Sequence, residues 1–141
     1  MPTRNATARW NGSLRDGNGT FESATGTISG SYNFSSRFED GSGTNPEELI
    51  ASAHAACYSM ALASELGKAG HVPETVETTA KVHLEMGEGG PSITKIELVT
   101  SVTAPGIEDA QFQEIATATK AACPVSKALA AVEITLEASL A

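Results

Sequence analysis

Hydrophobic and polar residues alternate along three segments in the second half of the chain. This period of two is typical of strands that have one dry face and one wet face. The segments are Val76–Met86, Ile93–Val102 and Val132–Leu140. A turn at Gly87–Pro91 joins the first two segments into a predicted hairpin. We therefore expect an antiparallel sheet in this half of the molecule.

The first third of the chain consists of shorter strand-like pieces that are separated by turns. Thr7–Leu14 and Phe21–Phe34 carry these pieces, and Arg15–Gly19 has the Gly and Asx residues of a turn. The polar segment Ser35–Gly43 follows and predicts a loop.

A long helix is predicted next. Asn45 can cap it, Pro46 suits the first helical position, and two acidic residues then lie at the positive end of the helix dipole. We expect the helix to run to about Leu66, with Gly67 or Gly70 as its stop. Because its interior has almost no charged face, we expect it to be buried on most sides.

Two shorter helices complete the elements. They are predicted at Ile107–Ala122 and, after the break at Cys123, from Pro124 to about Leu129. The order of elements predicts an α+β fold with antiparallel sheets packed around a long buried central helix. The length of 141 residues suits a single domain over residues 1–141.

Charge and composition limit the expected partners. The net charge is −8, with 9 Lys and Arg against 17 Asp and Glu, and no basic stripe is present to neutralise phosphates. We therefore expect no nucleic-acid partner and no membrane partner. No apolar run reaches the length of a membrane span, and the first residues lack the apolar core of a secretory signal. These features favour a cytoplasmic protein.

The two cysteines are the first candidates for chemistry. Cys57 lies about three turns into the predicted long helix, beyond the reach of the helix dipole. A cation about 4 Å away would contribute roughly 4 kcal/mol, or about three pKa units, toward a thiolate. Cys123 directly precedes Pro124, where free backbone N–H groups begin a helix. The alternative for both is inert packing, and sequence spacing does not show that the two sulfurs meet.

Arginines are the candidate cations. Arg37 lies in the polar segment ten residues before Glu47, Arg15 competes with it, and the alternative for each is a solvated surface side chain. Glu47 and Cys57 are ten helical residues apart, or about 15 Å along the axis. They share one compact site only if Arg37 bridges the gap, the helix starts later, or another chain contributes. We predict that residues from two chains complete each site.

The three histidines do not converge in the sequence. His54 lies on an apolar helix as a core or interface residue, His71 lies in a loop, and His83 lies on the polar face of a strand. We therefore expect no metal site.

Several segments together resemble the osmotically inducible protein C (OsmC) family of thiol peroxidases. They are Arg37–Glu39, Gly43–Ile50, Ala53–Leu62, Thr94–Ile96, Pro105–Ile107 and Ala122–Ser126. The resemblance covers nearly the whole chain in order, and the segment before the first cysteine is closer to the OsmC branch than to the sister organic hydroperoxide resistance (Ohr) branch.

The resemblance implies an intertwined homodimer with a site at the subunit interface. By its motif, Cys57 matches the peroxidatic cysteine and Cys123 the resolving cysteine. Glu47 matches the glutamate of the site, and Arg37 matches the arginine of the OsmC branch. In the sister branch the arginine comes from an earlier loop, nearer to Arg15.

The implied activity is reduction of organic hydroperoxides to alcohols without a bound cofactor. Cys57 would become a sulfenic acid and then a disulfide with Cys123, and an external dithiol, of lipoyl type in the sister branch, would reduce that bond. Two alternatives stand beside it. One is a redox-sensing or binding protein with a reversible disulfide and no turnover, and the other is a protein whose cysteines are inert.

Overall fold

The computed structural model describes residues 2–141. The elements in chain order are β1 (Ala6–Asn11), β2 (Asn18–Ser23), β3 (Ser29–Tyr32), α1 (Phe34–Phe38), α2 (Pro46–Lys68), β4 (Thr75–Gly87), β5 (Gly90–Thr103), α3 (Asp109–Ala122), α4 (Pro124–Ala128) and β6 (Glu133–Leu140). The chain divides into two compact units, one up to Leu49 and one over Ile50–Ala141. The mixture of helices and sheets confirms the α+β class, and the single domain stays a prediction.

The first unit contains an antiparallel sheet in the order β1-β2-β3. Gly19 on β2 pairs with Trp10 on one side and with Tyr32 on the other. A Cβ atom at Gly19 would lie only 2.7 Å from atoms of both rings, so no side chain fits there. The glycine thus lets the two rings approach to 5.4 Å between centroids across the middle strand.

Helix α1 corrects the prediction of a loop over Ser35–Gly43, because the chain is helical from Phe34 to Phe38. Asn33 and Ser36 form a capping box, in which each side chain accepts a hydrogen bond from the backbone N–H of the other. The helix has only five residues, too few for a helical hydrophobic pattern to be visible.

Helix α2 begins at Pro46, as predicted, and Asn45 caps it by accepting a 2.8 Å hydrogen bond from the Glu48 backbone N–H. The helix continues through Gly67 to Lys68.

Gly70, with φ +89°, then ends the helix. Its N–H donates to the Gly67 carbonyl at 3.0 Å, and the N–H of His71 donates to the Leu66 carbonyl at 2.9 Å. These two bonds form a Schellman motif, which needs a residue with positive φ.

One stripe of α2 is buried within the second unit. His54, Tyr58, Leu62 and Leu66, spaced four residues apart, are all 0% exposed. Met60, on another face, is 77% exposed. In the single chain the helix is therefore buried along one stripe, and its burial on most sides stays a prediction. The absence of charged residues predicted burial against other elements, but Ala and Ser side chains are found both in cores and at exposed positions.

The second unit contains a sheet in the order β4-β5-β6. Strands β4 and β5 form the predicted antiparallel hairpin, but β6 runs parallel to β5. The expectation of purely antiparallel sheets is therefore wrong here. Parallel neighbours require a crossover connection, and the chain from Thr103 to Glu133 supplies one through α3 and α4.

A hydrophobic core lies between the buried stripe of α2, strand β5 and helix α3. Its fully buried members include Leu62, Ile96, Leu98 and Phe112. Cys123 belongs to the same cluster. The second cysteine is therefore held by close packing and not by a loop.

Candidate active site

The structure brings the two cysteines together in the second unit. Cys57 lies on α2, Cys123 lies between α3 and α4, and their Sγ atoms are 2.9 Å apart although 66 residues separate them. Both are free thiols. A disulfide bond would be about 0.9 Å shorter than this separation. The pair is therefore placed for reversible bond formation with a small movement.

The surroundings of Cys57 do not favour its thiolate. Burial and the hydrogen bond with Cys123 raise the pKa of Cys57, and the Val125 backbone N–H opposes them only in part. Within residues 50–141, none of the groups that set this pKa is a cation. The requirement for a cation that the sequence analysis predicted is therefore not met within the second unit.

The surroundings of Cys123 act in the opposite sense. The residue is 0% exposed and forms the junction between α3 and α4. Burial pushes the pKa of Cys123 up, but the hydrogen bond with Cys57 and hydrogen bonds from Ser126 and Val125 outweigh it, and the pKa lies below its usual value. Ser126 contributes through both its backbone N–H and its hydroxyl.

An ion pair occupies the first unit. Arg37, in the last turn of α1, donates from Nη2 at 2.9 Å and from Nε at 3.2 Å to Oε1 of Glu47, in the first turn of α2. The Glu47 side chain is 10% exposed and the Arg37 side chain 36%. The sequence analysis thus named two residues that the fold brings into direct contact.

A cavity of about 300 Å³ adjoins this arginine in the first unit. Its lining is Trp10, Leu14, Tyr32, Asn33, Phe34, Arg37 and Phe38. Arg15 places its Cζ atom 4.6 Å from the centroid of the Phe34 ring. The Cζ atom of Arg37 lies 5.4 Å from the centroid of the Phe38 ring, so both candidate arginines contact a ring, and Arg37 in addition pairs with the Glu47 carboxylate.

Sequence reasoning did not place this aromatic cavity. A signal was available, because five of the seven aromatic residues, from Trp10 to Phe38, precede residue 40.

The histidines have separate surroundings. His54 is 0% exposed, and its Nε2 lies 2.7 Å from Oγ of Ser126. His83 Nε2 lies 2.6 Å from Oε2 of Glu97 on the second sheet. Over residues 2–141, no three His, Cys, Asp or Glu side chains are grouped as metal ligands. In the same residues, no helix is long and apolar enough to cross a membrane.

Comparison with known proteins gives a consistent picture. A family model described as OsmC-like protein matches residues 39–137. The chain is 48% identical over 134 residues to peroxiredoxin OsmC of Escherichia coli (strain K12), covering 94% of this chain and 93% of that one. It is 30% identical over 95 residues to organic hydroperoxide resistance protein OhrA of Bacillus subtilis (strain 168), covering 67% and 66%.

A solved structure shows the same architecture. The organic hydroperoxide resistance protein OhrB of Bacillus subtilis superposes with a TM-score of 0.77 at 28% identity, covering 96% of this chain and 97% of that one. The fold and the paired thiols define a class of small redox proteins with two cysteines. Within that class, the chain belongs to the OsmC-like family, and the resemblance found in the sequence is confirmed.

Proposed function

We propose that this protein is a thiol-dependent peroxidase that reduces organic hydroperoxides to alcohols. The observation that carries the proposal is the 2.9 Å separation of the Cys57 and Cys123 sulfurs inside a packed core. Inert packing does not require the two sulfurs to be adjacent, whereas a disulfide mechanism does. The name peroxiredoxin of the relative that is 48% identical, and the name organic hydroperoxide resistance protein of the one that is 30% identical, support the same reaction.

The reaction has three steps. The Cys57 thiolate attacks one peroxide oxygen, the O–O bond breaks, and the alcohol leaves with a proton while Cys57 becomes a sulfenic acid. The Cys123 thiolate then attacks the sulfenic sulfur, so that the S–S bond forms, the S–O bond breaks and water leaves after protonation. An external dithiol, such as a lipoyl group, reduces the disulfide by exchange and is itself oxidised.

Activation of Cys57 requires a cation, and the Arg37–Glu47 pair is the group that we propose for it. Helix α2 starts at Pro46, so a later start does not shorten the path of about 15 Å along the helix from Glu47 to Cys57. Two alternatives remain, a bridge by Arg37 within one chain and a residue from a second chain, and the features given below favour the second. We propose a homodimer in which the Arg37–Glu47 pair of one protomer faces the thiols of its partner.

Two features support this dimer. Met60 on α2 is 77% exposed in the single chain, and a partner would cover this large apolar side chain. In addition, Oε2 of Glu47 is buried and accepts no hydrogen bond from the described residues. A donor from a second chain would satisfy this oxygen, whose isolation otherwise carries a desolvation cost.

The aromatic cavity supports an organic substrate. Its walls are mostly Trp, Tyr, Phe and Leu side chains, and they gain little from hydrogen peroxide but bury the apolar group of an alkyl or aryl hydroperoxide. We propose that Arg37, at the edge of the cavity, orients the polar end of that substrate.

We further propose that the 141 residues act as one domain in the reducing cytoplasm, where a dithiol can regenerate the enzyme.

The test is peroxide consumption in the presence of a dithiol, with cumene hydroperoxide and hydrogen peroxide as alternative substrates. We expect the wild-type protein to consume the organic peroxide faster, Cys57→Ser to consume none, and Cys123→Ser to react once and stop. Wild-type turnover by Cys57→Ser would refute the proposal. Consumption of one equivalent by the wild-type protein, with a disulfide that persists in the presence of the assay dithiol, would instead support the sensor alternative.

A further inference from the structure

His54 and Ser126 have no part in the reaction just described, although both are almost completely buried next to the thiol pair. His54 is 0% exposed and Ser126 4%. Their side chains meet at 2.7 Å between Nε2 and Oγ, across 72 residues of sequence. Burying a histidine in an apolar helix face is costly unless its ring nitrogens find partners, so this contact calls for a function.

The second ring nitrogen determines the direction of this hydrogen bond. Nδ1 of His54 is buried and has no hydrogen-bond partner among the described residues. A proton on Nδ1 would create an unsatisfied buried donor, whereas a bare lone pair there costs less. The neutral ring therefore carries its proton on Nε2, which makes His54 the donor and the Ser126 oxygen the acceptor. Burial also lowers the pKa of His54, which favours this neutral form.

The direction of the hydrogen bond between His54 and Ser126 determines which way the serine hydroxyl proton points. Because the Ser126 oxygen accepts from His54, the serine hydroxyl proton is free to point elsewhere. Ser126 lies three residues after Cys123, in the first turn of α4, and hydrogen bonds from its backbone N–H and its hydroxyl lower the pKa of Cys123. The hydrogen bonds then run in one sense, from His54 through Ser126 to the sulfur, and each bond polarises the next.

We propose that His54 is a positioning residue for the resolving thiol, which acts by holding the Ser126 hydroxyl as a donor to Cys123. The proposal rests on the proposed function, in which Cys123 attacks the sulfenic acid on Cys57. Because the two sulfurs lie 2.9 Å apart, stabilising the Cys123 thiolate promotes disulfide formation directly. The histidine does not exchange its own proton in this step. The proton of the Cys123 thiol is lost to solvent or to the departing hydroxide, which leaves as water.

Two other titratable groups lie near Cys123 and must be considered when its titration is measured. They are the Cys57 sulfur and the Tyr58 hydroxyl, both on α2. The Tyr58 hydroxyl donates to the Ala116 carbonyl at 2.9 Å, and burial raises its pKa, so it stays neutral in the range of the assay. A Cys57→Ser background leaves Cys123 as the only thiol that titrates, since the chain has two cysteines.

The first measurement is the titration midpoint of Cys123 in the Cys57→Ser background, followed by the ultraviolet absorbance of the thiolate. Ser126→Ala and His54→Met each remove one of the two consecutive hydrogen-bond donors. Each substitution is expected to raise the titration midpoint of Cys123 by about one pH unit. Ser126→Thr keeps a hydroxyl, and His54→Gln carries an amide N–H near the position of Nε2. In both conservative variants the titration midpoint of Cys123 is expected to stay close to the wild-type value. Thr119→Val, which removes another buried hydroxyl on α3, is the matched control and is expected to leave it unchanged.

The second measurement separates the two half-reactions in proteins that retain both cysteines. At a pH at least one unit below the wild-type midpoint, Ser126→Ala and His54→Met are expected to slow conversion of the sulfenic acid to the disulfide roughly threefold, because the smaller thiolate fraction is partly offset by higher nucleophilicity. The rate of the first oxidation of Cys57 is expected to stay within about twofold of the wild-type rate.

The outcomes are distinct. Unchanged midpoints in both donor-removing variants would overturn the proposal, and so would equal midpoints for His54→Gln and His54→Met. If His54→Met does not fold, the comparison of Ser126→Ala with Ser126→Thr decides. A wild-type protein that consumes no peroxide would refute the proposed function, whereas the titration of Cys123 would still test the donor chain.

Discussion

Arg37 reaches Glu47 through two donors, Nε and Nη2, that share the single acceptor Oε1. The second oxygen, Oε2, is buried and receives no hydrogen bond from the described residues. The pair is therefore not the fork-to-fork arrangement in which each oxygen binds its own N–H. One oxygen orients the guanidinium, and the other is left for a further donor.

Glu47→Gln tests this relationship. The substitution keeps the shape and the acceptor oxygen but removes the charge that strengthens both hydrogen bonds, so we expect it to lower the free energy of unfolding by about 1–2 kcal/mol. We also expect slower oxidation of Cys57, because the arginine is held less firmly. Urea unfolding and the rate of the first oxidation measure the two effects. Glu48→Gln, next in the same helix turn, is the control, and an equal loss in both variants would contradict the specific role of Glu47.

Arg37→Ala tests the source of the cation. In the proposed dimeric site, a guanidinium about 4 Å from the sulfur would contribute roughly 4 kcal/mol of thiolate stabilisation, so its loss should raise the pH midpoint of the reaction of Cys57 with peroxide by up to about three units. Rapid-mixing kinetics over a range of pH measure this midpoint. Arg9→Ala, on strand β1, is expected to leave it in place. A larger upward displacement in Arg15→Ala than in Arg37→Ala would transfer the activating role to Arg15.

Mixed dimers test whether two chains complete each site. When Arg37→Ala and Cys57→Ser chains are combined, a site made across chains joins the intact arginine of one to the intact cysteine of the other. One of the two sites is then complete, and we expect about half of the wild-type activity per dimer. If each chain builds its own site, both sites in the mixed dimer lack a residue and the activity stays at the level of the inactive parents.

The burial of His54 predicts a pH dependence of stability. Burial lowers the pKa of His54 from its ordinary value of 6.5, so below that value the unfolded chain binds a proton that the folded chain does not. The free energy of unfolding should therefore fall as the pH decreases from 6.5, with a limiting slope of about 1.4 kcal/mol per pH unit. Urea unfolding between pH 7 and 5 measures the slope.

A substitution identifies the histidine responsible. His54→Gln, which does not titrate, should flatten this dependence, whereas His71→Gln in a surface segment should preserve it. A wild-type slope that persists in His54→Gln would show that other groups are responsible.

Local sequence signals determined most of the elements. The period of two marked β4, β5 and β6, and the Asn-Pro-Glu-Glu segment marked the start of α2 within one residue, because capping and alternation depend on neighbours in sequence. The family motifs also singled out both cysteines and the Arg37 and Glu47 residues.

The sequence did not determine strand direction or helix exposure. The parallel pairing of β6 with β5 depends on how the crossover through α3 and α4 packs, and the exposed face of α2 depends on which elements cover it. Both are decided by contacts between distant segments, for which alternation and composition carry no information.

What the sequence by itself determined was therefore the α+β class and most element boundaries, and it singled out the residues that we propose to be reactive. The tertiary structure alone decided that Cys57 and Cys123 lie 2.9 Å apart, that Arg37 and Glu47 are in contact, and that His54 reaches Ser126. The physical reason is that each of these pairs joins segments that approach only when the core closes. Side-chain contact across 10, 66 or 72 residues is a property of packing and not of local preference.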